Sequence, residues 1–401
     1  METHTPAPDS LPGDVVFEDY LFFAALQRQQ EEDSLGRSNA PQESASTNDK
    51  TTWLSSSAEK MQSHAQLPAL TKAETERINA NRALRITSWM SVFYLITTDV
   101  LGPFNAPFAI SQVGWVPGVI LYFFMGVVAF YSGLVLWRLF IKLNSSRYPL
   151  KTYGDIAERI YGKVAKYICT ILQSLQLIIN VGVVSLGNGQ ALSQITKGRL
   201  CFSVCVMIFP IIGIIIGQIR SLKKFSFLAN SAVWINLSII FISMGFVAHS
   251  PPNFAAANQS LGVDQGPVVS ETFVSLPLYS KINGVMNMVY AYGGAMIFPE
   301  IMAEMRRPMD FWKGLALAQT VIFVAYMLYG CFVYGYQGQF TLPLAFQGVS
   351  KYSWQTVGNT LFFVTGIIAA GLYGNIGVKV IYINVVEDWF KKAKRASYDD
   401  F

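Results

Sequence analysis

Thr97-Thr-Asp-Val-Leu-Gly-Pro-Phe-Asn-Ala-Pro107 interrupts an apolar run that is otherwise long enough to cross a bilayer. Gly102-Pro103 and Pro107 stand within the run 86–110. Proline lacks the backbone donor and clashes with the preceding turn, so the helix must open here. Open backbone at membrane depth is tolerated only where protein encloses it or where it lines a cavity. Asp99 lies beside the break, flanked by Thr97, Thr98 and Asn105. A second stretch repeats the pattern. Tyr290-Ala-Tyr-Gly-Gly-Ala-Met-Ile-Phe-Pro-Glu300 sets Gly293, Gly294 and Pro299 inside the run 284–305. Interruptions five spans apart point to a bundle of inverted repeats with a binding site at the breaks. The bland alternative is two proline kinks used for packing.

Outward from these stretches, eight apolar runs are long enough for a crossing. They lie at 86–110, 114–137, 164–192, 200–219, 225–248, 284–305, 312–335 and 356–378. The expected fold is all-α, a polytopic membrane helix bundle of eight transmembrane helices, because helices satisfy their own backbone in lipid. Composition agrees. Hydrophobic residues are 52% and charged residues 14%, against about 25% charged in a soluble domain. That excludes a disordered chain and a nucleic-acid binder and argues against a soluble enzyme. The net charge of +5 lies between the apolar runs.

Those charges orient the bundle by the positive-inside rule. Alternate connections and both flanks carry twenty-one Lys and Arg, whereas the other set has four, Lys197, Arg199, Lys281 and Lys351. Both termini are therefore expected in the cytosol. The sequon at Asn258 falls in the connection 249–283, placed outside, and makes Asn258 a glycosylation candidate. The sequon at Asn144 falls in an inner loop. Residues 1–84 are rich in Ser, Thr, Gln, Pro and acids and read as a disordered cytosolic tail. Within it, 15–26 is apolar and reads as either a short docking helix or a fluctuating patch. The stretch 15–26 also contains Glu18 and Asp19, which argues against a signal peptide. Residues 85–390 form the membrane domain, and 391–401 a polar tail.

The breaks suit a zwitterion. The N-terminal end of a half-helix offers amides and positive dipole to a carboxylate, and a C-terminal end offers carbonyls to an ammonium group or cation. Asp99 is the acid deepest in any run and reads as a coupling-ion or proton site, or as a structural acceptor. Gln173, Gln176 and Asn180 are read as one helix face, lining a path or bonding a neighbouring helix. Asn375 is a further ligand candidate among the small residues of the last run. Glu300 and Glu304 are expected to pair with Arg306 or Arg307. Thr152 and Asp155 have the spacing of a capped surface helix. Four cysteines and three histidines form no metal spacing, and no nucleophile–base set or phosphate loop appears. No metal or other cofactor is expected.

At Thr97–Pro107 in the sequence, Gln112-Val-Gly-Trp115, Tyr153-Gly-Asp155, Tyr292 to Ile301 and Met305-Arg-Arg-Pro308, the chain resembles the amino acid/auxin permease family, and within it the fungal neutral amino acid permeases of the N system. The resemblance covers about 86–390. It implies a LeuT-like fold of two inverted five-helix repeats and secondary transport of neutral amino acids with protons. It places substrate contacts at Thr98, Asp99, Gly102 and Asn105, and at Tyr292, Gly293 and Gly294. Asn180 and Asn375 join them from the residue-level reading. Family members have eleven helices, so the second repeat reads as incomplete. The implied partners are a neutral amino acid and the lipid bilayer, and the coupling ion is a proton. The plasma membrane is the expected location, with the vacuolar membrane as the alternative. A nontransporting amino-acid sensor and a truncated inactive permease are the competing functions.

Overall fold

The structure, a computed structural model, describes residues 17–39, 85, 87–100, 102–217 and 222–382. Among the described residues there is no strand, only two isolated bridges, Thr87 with Met305 and Pro252 with Val349. The helices are α1 (Phe17–Asn39), α2 (Trp89–Val100), α3 (Ala106–Val113), α4 (Trp115–Leu143), α5 (Tyr153–Tyr161), α6 (Lys163–Ile195) and α7 (Phe202–Gly217). They continue with α8 (Leu222–Ala248), α9 (Phe254–Leu261), α10 (Leu278–Ala291), α11 (Phe298–Glu304), α12 (Phe311–Gln337) and α13 (Tyr352–Ile381).

The chain divides into two units, one of Met1–Arg85 with Lys142–Pro149 and one of the remainder. In the first, α1 covers most of the apolar stretch 15–26, for which a docking helix and a fluctuating patch were both expected, and runs on to Asn39; the rest of that tail, and residues 383–401, lie outside the described residues. Tyr20 and Phe23 of α1 pack edge-on against Tyr148, with ring centroids 5.1 and 5.8 Å apart. The Arg147 guanidinium sits 5.0 Å over the Phe23 ring. Gln27 Oε1 accepts from the Ser146 amide at 2.6 Å, and Arg28 donates to the Asn144 carbonyl at 3.1 Å. The apolar run in the tail is thus the aromatic face of a helix that has a partner.

In the second unit, five helices are long and apolar enough to cross a membrane: α4, α6, and the spans Ser226–Ala248, Pro308–Phe340 and Tyr352–Val378. Among the described residues the other three apolar runs form shorter helices. Two are broken, and α7 is described over 16 residues, up to Gly217, beyond which the run leaves the described residues. The exterior is apolar: Ile120, Tyr131, Ile171, Ile178, Ile214 and Phe241 are all exposed. In the most apolar window of α4 only 17% is buried, against 50% in α13. Such faces belong against lipid, where apolar exposure costs nothing.

The breaks fall where the glycines and prolines put them. α2 ends at Val100, a 3-10 turn occupies Pro103–Asn105, and α3 begins at Ala106. α10 ends at Ala291, a 3-10 turn occupies Ala295–Ile297, and α11 begins at Phe298. The two broken helices run in opposite senses. At one end Thr87, just before α2, exchanges backbone hydrogen bonds with Glu304 (3.2 Å) and Arg306 (2.9 Å), where α11 finishes. At the other end α3 crosses α10 so closely that a Cβ on Gly284 would stand 2.7 Å from Gln112 Cβ and 3.0 Å from the Ala109 carbonyl. Gly114 ends α3 at φ +100°, with the Thr272 carbonyl 2.6 Å from any Cβ there. It permits the turn that returns the chain into α4.

Gly284→Val should lower the thermal midpoint of the purified protein, because overpacking against backbone costs about 1–3 kcal/mol. Gly245→Ala, with open space around its Cβ, should not. Equal midpoints in a tryptophan-fluorescence melt would contradict this account of the crossing.

Candidate functional site

Between the two breaks lies a cavity of about 310 Å³. Six of the residues singled out from the sequence line it: Thr98, Gly102, Asn105, Asn180, Gly293 and Gly294. They come from α2, the first break, α6 and the second break, so residues nearly 200 positions apart meet around one cavity. The N-terminus of α3 reaches the cavity through Asn105 and Ala106, and Asn105 makes no side-chain cap. The C-terminus of α10 reaches it through Tyr290 and Ala291. One wall thus presents a helix amide end and another a helix carbonyl end. No charged side chain lines the cavity among the described residues.

The remaining residues stand elsewhere. Tyr292 is buried behind the wall. Its ring packs against Tyr122 and Tyr326 at 6.3 and 5.7 Å, and its hydroxyl is buried without a hydrogen-bond partner. Asn375 is buried in α13 but is not on the cavity wall. α13 presents Phe362, Thr365, Gly366, Ala369 and Tyr373, and a position two residues past Tyr373 lies about 200° further around the helix. Asp99 closes the last turn of α2; its side chain lies outside the described residues. Thr98 lines the cavity while its hydroxyl donates to the Ala229 carbonyl of α8 at 2.9 Å. Asn258 is exposed on α9, with its amide donating to Asp264 at 3.0 Å. Asn144 is buried.

Two readings of polar residues change. Gln176 is exposed, while Gln173, Leu177 and Asn180 are buried. The buried face of α6 is inclined so that the i+4 position, not i+3, continues it. Glu300 is not a partner of Arg306 or Arg307 in any ion pair among the described residues. It is buried, and Oε1 accepts from the Tyr153 amide at 3.1 Å and from Gln173 Nε2 at 2.8 Å. Thr152 and Asp155 form the expected capping box at the start of α5.

Several lining residues carried little signal. Tyr122 and Tyr326 stack at 5.6 Å and wall one side. The Tyr326 hydroxyl donates to the Ala291 carbonyl at 3.2 Å, at the carbonyl end of α10. Phe104, inside the first break, meets Tyr329, Phe346 and Phe362 edge-on. Asn236 carries a sequence cue, as one of two amides, with Asn230, in the run 225–248.

Residues 85–396 match the family described as transmembrane amino acid transporter protein. The N amino acid transport system protein of Neurospora crassa is 25% identical over 260 residues, 62% of this chain and 52% of that protein. Lysine histidine transporter-like 1 of Arabidopsis thaliana is 22% identical over 301 residues, 70% of this chain and 63% of that one. Amino acid transporter AVT1B of the same plant is 27% identical over 279 residues, 65% of this chain and 47% of that one. The chain spans about half to two thirds of the length of these relatives. With the family match over most of its length and its long apolar helices, this is an integral multi-pass membrane protein, and it belongs to the transmembrane amino acid transporter family.

Proposed function

We propose that this chain is a secondary active transporter that moves neutral amino acids across a membrane by proton symport. Access alternates around the two broken helices, in a LeuT-like arrangement of inverted repeats with eight crossings. The observation that carries the reading is the cavity between the breaks. It pairs the amide end of α3 with the carbonyl end of α10, and its described lining has no charged side chain. An α-carboxylate is stabilised at the first and an α-ammonium at the second. A substrate side chain with its own charge would lie in the cavity without a counter-ion, which is costly. This favours a substrate of the kind carried by a neutral transporter over lysine, although Arabidopsis relatives are named for lysine and histidine.

Substrate contacts are assigned to Thr98, Gly102, Asn105, Asn180, Gly293 and Gly294. Tyr292 and Asn375 act one layer behind. Asp99 binds the coupling proton beside the first break. The charge distribution sets both termini in the cytosol, with Asn258 outside, and the plasma membrane as the location.

The test is uptake of radiolabelled neutral amino acids by the chain in proteoliposomes, with lysine and glutamate as charged controls. An inward proton gradient should stimulate neutral uptake. No uptake of any amino acid by correctly inserted protein would overturn the reading. Gly293→Val should cut uptake at least tenfold, equivalent to about 1.4 kcal/mol of lost binding, because a Cβ there would stand 3.1 Å from the Tyr290 carbonyl, at the helix end that lines the cavity. Asp99→Asn should leave insertion intact and flatten the pH dependence of uptake; an unchanged pH response would remove Asp99 from the coupling role.

A further inference from the structure

Glu300 lies six positions beyond Gly294, in the half-helix that follows the second break. It is only 6% exposed. Its carboxyl oxygens have unequal surroundings. Oε1 accepts from the backbone N–H of Tyr153, the first residue of α5, and from Gln173 Nε2. Oε2 is buried with no hydrogen-bond partner. A buried carboxylate is tolerated when a cation or a full set of donors neutralises it, and is otherwise better held with its proton.

Among the described residues, no ion pair joins a cation to this carboxyl. From α5, Asp155 faces it with like charge. From α6, Lys166 is engaged by Glu158 at 2.8 Å and by Asp155 at 3.4 Å, and Cys169 is the nearby thiol. The Tyr153 phenol is pushed above its usual range, first by burial, and so stays neutral. On its own element the charged neighbours are Glu304 and then Arg306 and Arg307, beyond the end of α11. From α12 the contact is aromatic, Phe298 against Phe311 at 5.4 Å. Beyond these, Asp310 and Lys313 pair with each other at 2.7 Å.

Gln173 ties this carboxyl to the cavity. The same Nε2 that donates to Glu300 donates to the Met296 carbonyl at 2.9 Å, inside the second break. Asn180, on the cavity wall, stands two helical turns along the same buried face of α6. A shift of the break must therefore disturb the hydrogen bonds of Glu300.

We propose that Glu300 is a second proton-binding site of the transport cycle, protonated while α11 packs on α5 and α6 and deprotonated when they part. The inference rests on the transporter reading above. In the release step the carboxyl O–H bond breaks, its electron pair stays on the carboxylate, and water takes the proton. Separation exposes the group to water and frees the Tyr153 amide at the N-terminus of α5.

The test is hydrogen exchange by mass spectrometry on the full chain in detergent, as a function of pH and corrected for the intrinsic rate. In the wild type, protection of the first turn of α5 should fall at least tenfold as pH rises. Glu300→Gln keeps a carbonyl acceptor but has no proton to lose, so its protection should stay at the low-pH level. A wild-type pH curve in Glu300→Gln, or no pH dependence in the wild type, would overturn the proposal. Should Glu300→Gln fail to fold, infrared difference spectra of Asp99→Asn chain decide instead. A protonated-carboxyl C=O band that fades with rising pH and shifts in Asp99→Asn/Glu300→Asp supports the site, and its absence overturns it. Neither readout needs substrate, so a failure of amino acid uptake is distinguishable from a failure at Glu300. In proteoliposomes Glu300→Gln should lose at least tenfold in gradient-stimulated uptake; unimpaired stimulation would remove Glu300 from the cycle.

Discussion

Backbone polar groups released inside an apolar bundle must be enclosed, and this constraint organises the second unit of the structure. Gly102-Pro103 and Gly293-Gly294 open two helices in mid-run. Each opening frees carbonyls on one side and amides on the other. Hydrocarbon cannot satisfy them, so α6, α8, α12 and α13 gather around the breaks, and their polar residues, Asn180, Asn236 and Thr365, point into the same space. The burial pattern follows. α12 and α13 are far more buried than α4 and α6, as expected of helices that close a cavity rather than face lipid.

Enclosure works only if the two broken helices keep their register, and small residues at crossings hold it. Gly284 lets α10 lie against the backbone of α3, and Gly330 admits Ile110 of α3 beside α12. At the other end the Thr87 and Met305 backbone pairing fixes the start of α2 to the finish of α11. In a membrane there is little hydrophobic drive between helices, so such close approaches and backbone bonds carry the association. Two fixed ends with an unwound middle make the middle the place where motion costs least, since no regular ladder has to break there.

How far the sequence reads through to this structure depends on the range of the cause. Helix breaks are local: a proline removes its own donor wherever it sits, and both breaks fall at the expected residues. The Thr152–Asp155 cap is likewise a four-residue affair. The cavity wall is different. Gly293 and Asn180 can be ranked from their own runs, but Tyr122, Tyr326 and Phe362 look like any aromatic in a lipid-crossing helix until the fold puts them side by side. Glu300 shows the limit most clearly. Its nearest cations in sequence are Arg306 and Arg307, yet its hydrogen-bond donors are an amide 147 positions away and a glutamine 127 away. The stripe on α6 fails for a smaller reason, since Gln176 sits one edge away from a face that its periodicity nearly matches.

The absence of charge from the described cavity lining bears on how substrate could be released as well as bound. An ion pair buried with the substrate would hold it through desolvation as well as attraction, and breaking such a contact leaves a bare charge behind. Helix ends act as partial charges that remain solvated or bonded by neighbours when the ligand leaves, as the Tyr326 hydroxyl already does for the Ala291 carbonyl. On the proposed reading, a site built from dipoles would bind a zwitterion without a deep trap. Among the described residues the ion pairs lie off the wall: Lys166 with Glu158 and Asp155 at the start of α6, and Lys313 with Asp310 at the start of α12. Glu300 sits between these regions, close enough to the second break to follow its movement through Gln173 and buried enough that its protonation state matters to the packing. On the proposed reading, a carboxyl that lies off the cavity wall would change charge apart from the assigned substrate contacts, and would so separate binding of a zwitterion from the control of when it moves.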